Sequence, residues 1–230
     1  MHRKGMFSSW LTSQTKQWKE QLKKSVTATP FCKVCFKPIT EDSFLSTFLG
    51  ESSLCPHCYR DLKPEWFDWK EGKVPCLALY FYNETIRSLL YQFKGCGDYE
   101  LKDAFFAYPK YILRARFHGY CLVPAPSSRS HNERRGFNQV KAMCECLKMP
   151  ILDCLEKTVD AKQSDLSAKE RREVGKYLIY RGPSSLADKK ILLVDDVFTT
   201  GSTAKACLKL LAAHHPRKLA FLTMAKTLLK

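Results

Sequence analysis

No stretch of this chain is apolar for long enough to cross a bilayer, which takes about 18 to 20 consecutive residues; the longest apolar runs, around 77–82 and 191–194, are strand-sized. The first residues, Met1-His2-Arg3-Lys4-Gly5-Met6, lead into nothing like the apolar core of a secretory signal. There is no internal repeat and no low-complexity tract, so repeat arrays drop out. Acid is scarce: 23 Asp and Glu stand against 38 Lys and Arg, a formal net charge of +15. Such an excess favours polyanionic partners, nucleic acid first, although a merely solvated basic surface is its other use. The 11 cysteines are odd in number, which with the missing secretory segment suggests a reducing, cytoplasmic setting, peripheral to the inner face of a membrane at most.

At 230 residues and 45% apolar, the chain can bury one main core with a small appendage. Residues 1–30 form a basic N-terminal extension, with Arg3, Lys4, Lys16, Lys19, Lys23 and Lys24 against Glu20 alone, and Trp10, Leu11, Trp18 and Leu22 at helical intervals. Docking on a partner, an anionic membrane face or a nucleic-acid backbone is one use for it; packing on its own domain is the other.

Residues 31–62 carry two C-x-x-C pairs, Cys32/Cys35 and Cys55/Cys58, spaced as in a paired-knuckle site for tetrahedral Zn²⁺. Burial of Phe36, Ile39 and Phe44 alone is too little core for so small a module, and metal binding would supply the missing folding free energy. Four thiolates leave no open position for water, so the expected zinc is structural. Redox dithiols are the competing reading, and His57 in place of one thiolate is a lesser variant. Cys76, Cys96, Cys121, Cys144, Cys146, Cys154 and Cys207 read as packing residues.

From about residue 63 to 230 strands and helices alternate, as in a parallel α/β sheet. Strands are expected near 77–82, 120–123, 176–180, 191–194 and 218–224, with helices near 83–93, 99–116, 138–148 and 204–213. The most informative segment begins at Ile191: four apolar residues, then Asp195-Asp196, then Thr199-Thr200-Gly201-Ser202-Thr203 opening a helix. Backbone N–H groups of such a loop, with the positive end of the helix behind them, bind a monophosphate, while two carboxylates at the strand's end accept hydrogen bonds from ribose hydroxyls. An ordinary strand capped by a serine/threonine turn accounts for one aspartate but poorly for the pair. The loop after the 120–123 strand leaves the same sheet edge, and Arg129, Arg134 and Arg135 are candidate diphosphate ligands there.

The segment from Val194 to Thr203 resembles the 5-phosphoribosyl-1-pyrophosphate (PRPP) motif of type I phosphoribosyltransferases. In wider order, Cys32/Cys35/Cys55/Cys58, Lys94-Gly95-x-Gly-Asp98, Val123-Pro124-x-Pro126, Arg134-Arg135-Gly136-Phe137-Asn138-Gln139, Lys157-Thr158, Gln163-Ser164-x-Leu166-Ser167 with Arg171, and the Asp195-Asp196 motif resemble the ComF competence-protein family, ComFC-like. The resemblance runs from about residue 31 onward. It implies a zinc module before a phosphoribosyltransferase-like domain, and a role in natural transformation beside a ComFA-like helicase or translocase. It implies a PRPP-type ligand with Mg²⁺, held by Asp195, Asp196, Thr199, Thr200, Gly201, Ser202 and Thr203. Two features depart from the family: the length of the segment before Phe31, and Val174 where an asparagine is usual.

Two functions follow as expectations. One is handling of single-stranded DNA, for which the mixed basic and aromatic run Tyr91, Phe93, Lys94, Tyr99, Phe105, Phe106, Tyr108, Lys110, Tyr111, Arg114, Arg116 and Phe117 supplies a groove, unless those aromatics are core. The other is an active Mg²⁺-dependent phosphoribosyltransferase on an unidentified acceptor. A PRPP-sensing regulator is disfavoured, because no duplex-reading helix is recognisable.

Overall fold

The computed structural model describes residues 31–39, 53–158 and 177–227. The basic extension 1–30, Phe44, and the family-like positions Gln163 to Arg171 with Val174 lie outside the described residues.

Five strands make the main sheet: β1 (Phe67–Glu71), β2 (Val74–Phe81), β3 (Tyr120–Pro124), β6 (Lys190–Phe198) and β7 (Lys218–Lys226), in the order β1-β2-β7-β6-β3. All neighbours are parallel except β1 and β2, a hairpin turned by Gly72-Lys73 with Gly72 at φ 60°. The central strands are apolar because helices cover both faces. On one face α2 (Glu84–Leu90) and α5 (Gln139–Cys146) bring Ile86, Leu89, Leu90, Val140 and Met143 against Leu192, Val194 and Leu222. On the other, α6 (Ser202–Ala212) packs Cys207, Leu208 and Leu211 on Leu193 and Phe221. A separate hairpin, β4 (Leu155–Lys157) with β5 (Leu178–Tyr180), brackets residues 159–176.

The structure departs from the sequence reading in several places. The helix expected over 99–116 divides into a 3₁₀ turn at Tyr99–Asp103 and α3 (Lys110–Arg116), because Pro109 brings no N–H and serves as N-cap while Phe105 and Phe106 turn into the core. Arg129 stands in a helix, not a loop: α4 (Arg129–Arg135) is capped by Ser128, whose Oγ accepts from the His131 amide, and closed by Gly136 in the left-handed region. β1 was not expected at all; its burial alternates and its side chains are half polar. β6 runs four residues beyond Val194, so the two aspartates lie within the strand, where Asp195 pairs with Thr223 and Val197 with Ala225 of β7.

The cysteine knuckles pack onto the sheet instead of standing apart from it. Cys32, Ile39, Leu54, Cys55, Cys58 and Leu62 belong to the same cluster of buried residues as Leu77, Leu79 and Leu90. Phe36, expected in the module's core, is 66% exposed. Tyr80 couples the two parts: its buried Oη lies 3.0 Å from the Leu62 carbonyl, next to the knuckle helix α1 (Pro56–Asp61), and 2.9 Å from the Phe105 carbonyl. Burial pushes the Tyr80 hydroxyl up, keeping it a donor at every working pH. Replacing it by phenylalanine strands two buried acceptors; Tyr80→Phe is expected to lower unfolding free energy by about 1–3 kcal/mol, read by urea denaturation.

Candidate functional site

The carboxyl edge of β6 assembles the predicted loop. After Phe198 the chain passes through exposed Thr199 and Thr200 to Gly201, which caps α6 at φ 73°. A side chain at Gly201 would be strained by that φ, and its Cβ would lie 2.5 Å from the Phe198 ring, so glycine is required twice over. The Phe198 ring is wedged between Trp69 and Phe221, with centroids at 5.1 and 5.8 Å, and carries the loop on its upper face. Thr200 Oγ1 lies 3.3 Å from Ser202 Oγ and accepts from the Ser202 amide at 3.5 Å, so the hydroxyl turn folds back onto the first residue of the helix. The arrangement suits an anion the size of a monophosphate.

Strand alternation turns the two carboxylates to opposite faces. Asp196, 8% exposed, faces the α2 side, where the Lys94 ammonium meets Oδ2 at 3.0 Å. Asp195 faces the α6 side, near Cys207. Each also accepts from the next backbone amide, Asp196 N–H to Asp195 Oδ1 at 2.9 Å and Val197 N–H to Asp196 Oδ1 at 2.7 Å. Burial first, and the neighbouring Asp196 charge second, push the Asp195 carboxyl well above the usual carboxylate range; the Asp196 amide and Lys94 pull the other way.

The sequence places Lys94 in a turn and in a basic run and gives no sign of its partner. Lys94 sits in a π-helical turn, Tyr91–Gly95, that continues α2. Its carbonyl accepts from Arg135 Nε at 2.8 Å, and Arg135 also bonds the Gln139 side chain. Burial lowers the Arg135 guanidinium's pKa and the Asp196 charge counters this. Of the three candidate arginines, therefore, Arg135 is brought against Lys94 and near Asp196. Arg129 pairs with Glu133 at 3.0 Å on the exposed side of α4, where Arg134 also lies. The signal available in sequence was the Lys94-Gly95 pair itself, but the 102-residue separation from Asp196 hid its meaning.

The second constellation is the cysteine cluster. The Sγ atoms of Cys32, Cys35, Cys55 and Cys58 all lie within 4.8 Å of one another, with Cys35 and Cys55 at 3.6 Å. Thiolates around tetrahedral Zn²⁺ at 2.3 Å would be about 3.8 Å apart, so the set can hold zinc. Burial works to raise Cys32, but amide donors from Cys35, Cys55 and Val34 outweigh it and bring the thiol to about 7, whereas burial and the neighbouring sulfurs push Cys58 up. His57 turns away to Asp61, Nδ1 to Oδ2 2.9 Å, on an exposed face, so the sulfurs alone converge. Of the remaining cysteines, Cys76, Cys144, Cys154 and Cys207 are buried as expected, but Cys96 is exposed.

The aromatic run divides by residue type. Phe93, Phe105, Phe106 and Phe117 are buried core, whereas Tyr91, Tyr99 and Tyr111 are 67%, 38% and 46% exposed. Lys102 and Lys110 lie over the Tyr99 and Tyr111 rings at 3.9 and 5.0 Å. Among the described residues, no helix is long and apolar enough to cross a membrane.

A carboxyl whose pKa is raised on folding weakens the fold once pH exceeds its unfolded value, near 4, because the unfolded chain then ionises more readily. Asp195→Asn is therefore expected to raise the melting temperature at pH 7, by about 2–4 °C for each kcal/mol relieved, with the gain vanishing below pH 4 in calorimetry.

A phosphoribosyl transferase domain matches residues 134–227, which include α4's end, α5, β6, the Thr-Thr-Gly-Ser-Thr loop and β7. Competence protein ComFC of Streptococcus pneumoniae is 34% identical over 175 residues, covering 72% of this chain and 78% of that protein. Competence protein ComFC of Bacillus subtilis is 34% identical over 140 residues, 57% of this chain and 56% of its own length. A hypoxanthine phosphoribosyltransferase from Staphylococcus aureus superimposes with a TM-score of 0.37 at 13% identity, over 56% of this chain and 74% of that one. With its mostly parallel phosphoribosyltransferase sheet and four clustered cysteines, the chain belongs to the ComFC family of competence proteins.

Proposed function

We propose that this protein handles single-stranded DNA in the cytoplasm during natural transformation, using a phosphoribosyl pocket at the carboxyl edge of its sheet and working beside a ComFA-like translocase. The observation that carries the reading is the meeting of Asp196, Lys94 and Arg135 beside a glycine-capped loop made for a phosphate. Asp195 and Asp196 would receive ribose hydroxyls, Thr199 to Thr203 a 5-phosphate, and Arg135 a second phosphate, with Arg129 and Arg134 reaching it only by leaving their outward positions. The net charge of +15 and the surface Lys–Tyr pairs support the strand itself as a partner.

A second reading, Mg²⁺-dependent transfer of the phosphoribosyl group, is supported by the cationic pair Lys94 and Arg135, which would steady a departing diphosphate. Mg²⁺ would supply charge neutralisation for the diphosphate. The residues here would orient the ribose and hold the phosphates.

The cysteine cluster serves, in this reading, as a structural zinc site whose four ligands are Cys32, Cys35, Cys55 and Cys58. One zinc per chain is expected on titration with a mercurial in the presence of a chromogenic chelator. Because the ligands share the sheet's own core, Cys58→Ser should lose the metal and several kcal/mol of stability. Retention of full stability without metal would refute the assignment.

Fluorescence anisotropy of a labelled single-stranded oligonucleotide tests the main proposal. Binding is expected to weaken steeply with salt, with a log–log slope near about −0.7 for each phosphate neutralised. PRPP with Mg²⁺ should shift it in the wild type but not in an Asp195→Asn/Asp196→Asn variant. No binding at moderate salt would overturn the DNA reading, and pyrophosphate release with an acceptor would establish turnover.

A further inference from the structure

A groove of about 410 Å³ lies against α2 and the π-turn that follows it, and is joined to the carboxylate site through Lys94. Its lining includes Tyr82, Arg87, Tyr91, Lys94 and Gly95, and Lys94 is the residue whose ammonium holds Asp196. Tyr91 is 67% exposed, the most exposed of the large apolar and aromatic side chains among the described residues. Such a ring on a surface helix normally lies where it falls. Here the π-helical turn and Gly95 define its position: a Cβ on Gly95 would meet Tyr91 Cδ2 at 3.0 Å and Cε2 at 3.1 Å, so the ring rests against the bare α-carbon. π-turns cost hydrogen-bond geometry and recur at functional sites. The result is an exposed aromatic face, positioned by the backbone, with Lys94 on one side and Arg87, paired with Glu84 at 3.5 Å, on the other.

We propose that this groove takes a nucleobase, stacked on Tyr91, belonging to the same nucleotide or nucleic-acid residue whose sugar and phosphate occupy the Asp195–Thr203 site. The inference rests on the phosphoribosyl reading above and adds the chemical class of what adjoins the ribose: a planar heteroaromatic group. A free nucleoside monophosphate and a base within a single strand share this chemistry. Tyr91 would be a stacking platform, and Gly95 a positioning residue acting through it. Stacking tolerates any base, so little preference between purines and pyrimidines is expected beyond ring area.

The test compares ribose 5-phosphate, adenosine 5′-monophosphate and a short oligothymidylate by isothermal titration calorimetry on the full zinc-loaded chain. Stacking of one base corresponds to about tenfold tighter binding, so adenosine 5′-monophosphate should exceed ribose 5-phosphate by about that factor. In Tyr91→Ala the gap should close while ribose 5-phosphate affinity is unchanged; Tyr91→Phe should keep it. Gly95→Ala, a helix-favouring change at a site with ordinary φ, should fold well yet shrink the gap by displacing the ring. The oligothymidylate distinguishes the sources: a Tyr91→Ala loss there, with none for the monophosphate, assigns the groove to the strand. Equal binding of ribose 5-phosphate and adenosine 5′-monophosphate by the wild type, with no Tyr91→Ala effect on the oligothymidylate, would overturn the groove while leaving the phosphoribosyl site standing. Failure of ribose 5-phosphate to bind at all, with adenosine 5′-monophosphate still sensitive to Tyr91→Ala, would overturn the phosphoribosyl reading and keep the groove.

Discussion

Two adjacent carboxylates on a strand otherwise buried in apolar side chains are the constraint around which the rest of the carboxyl edge is arranged. Asp195 and Asp196 follow four fully buried residues, Ile191 to Val194, and a charge in such a place must be paired, hydrogen-bonded or neutralised. The fold deals with the two differently because the strand sends them to opposite faces. Asp196 meets an ammonium delivered from 102 residues away, and that ammonium's own carbonyl is held by Arg135. Asp195 has an amide and a raised proton affinity. A ligand rich in hydroxyls and anionic oxygens would replace both compromises with better partners. That is how stability is given up at a site and recovered on binding.

The apolar run into Asp195-Asp196 and the small hydroxyl-rich loop were legible in the sequence because they are local: period, loop chemistry and helix start all lie within thirteen residues. The cysteine pairs were legible for the same reason, each C-x-x-C being its own turn. What stayed hidden was long-range. Lys94 gives no sign of Asp196, and Arg135 gives none of the Lys94 carbonyl. Helix α4 was hidden differently: its boundaries, Ser128 and Gly136, are plain cap residues, but its body, Arg-Ser-His-Asn-Glu-Arg-Arg, has no apolar stripe, and periodicity alone reads such a segment as loop. The tyrosines and phenylalanines of 91–117 alternate too closely for a sequence to sort; only packing sends the phenylalanines inward.

The cysteine knuckles illustrate how a small module avoids needing a core of its own. Ile39, Leu54 and Leu62 are buried against the sheet's residues, and the Tyr59 ring packs tilted against Tyr108, centroids 4.8 Å apart. A metal there would therefore stiffen a corner of the main core, and the Tyr80 hydroxyl, touching the carbonyls of Leu62 and Phe105, would carry that order across to the segment leading into α3.

The π-turn at Tyr91–Gly95 has a consequence for the length of the chain itself. Its Tyr91 carbonyl accepts from the Cys96 amide, five residues on, at 3.0 Å, so this turn holds one residue more than an α-helical turn would. Each residue advances a helix by about 100°. A chain one residue shorter here could still form a sound helix and a sound core start, yet everything after the deletion would be turned by about that angle. Lys94 would then point away from β6. The meeting of Lys94 with Asp196 is in this sense set by helical phase, a matter of counting residues, and the extra residue acts as the spacer that keeps two distant parts of the chain in step.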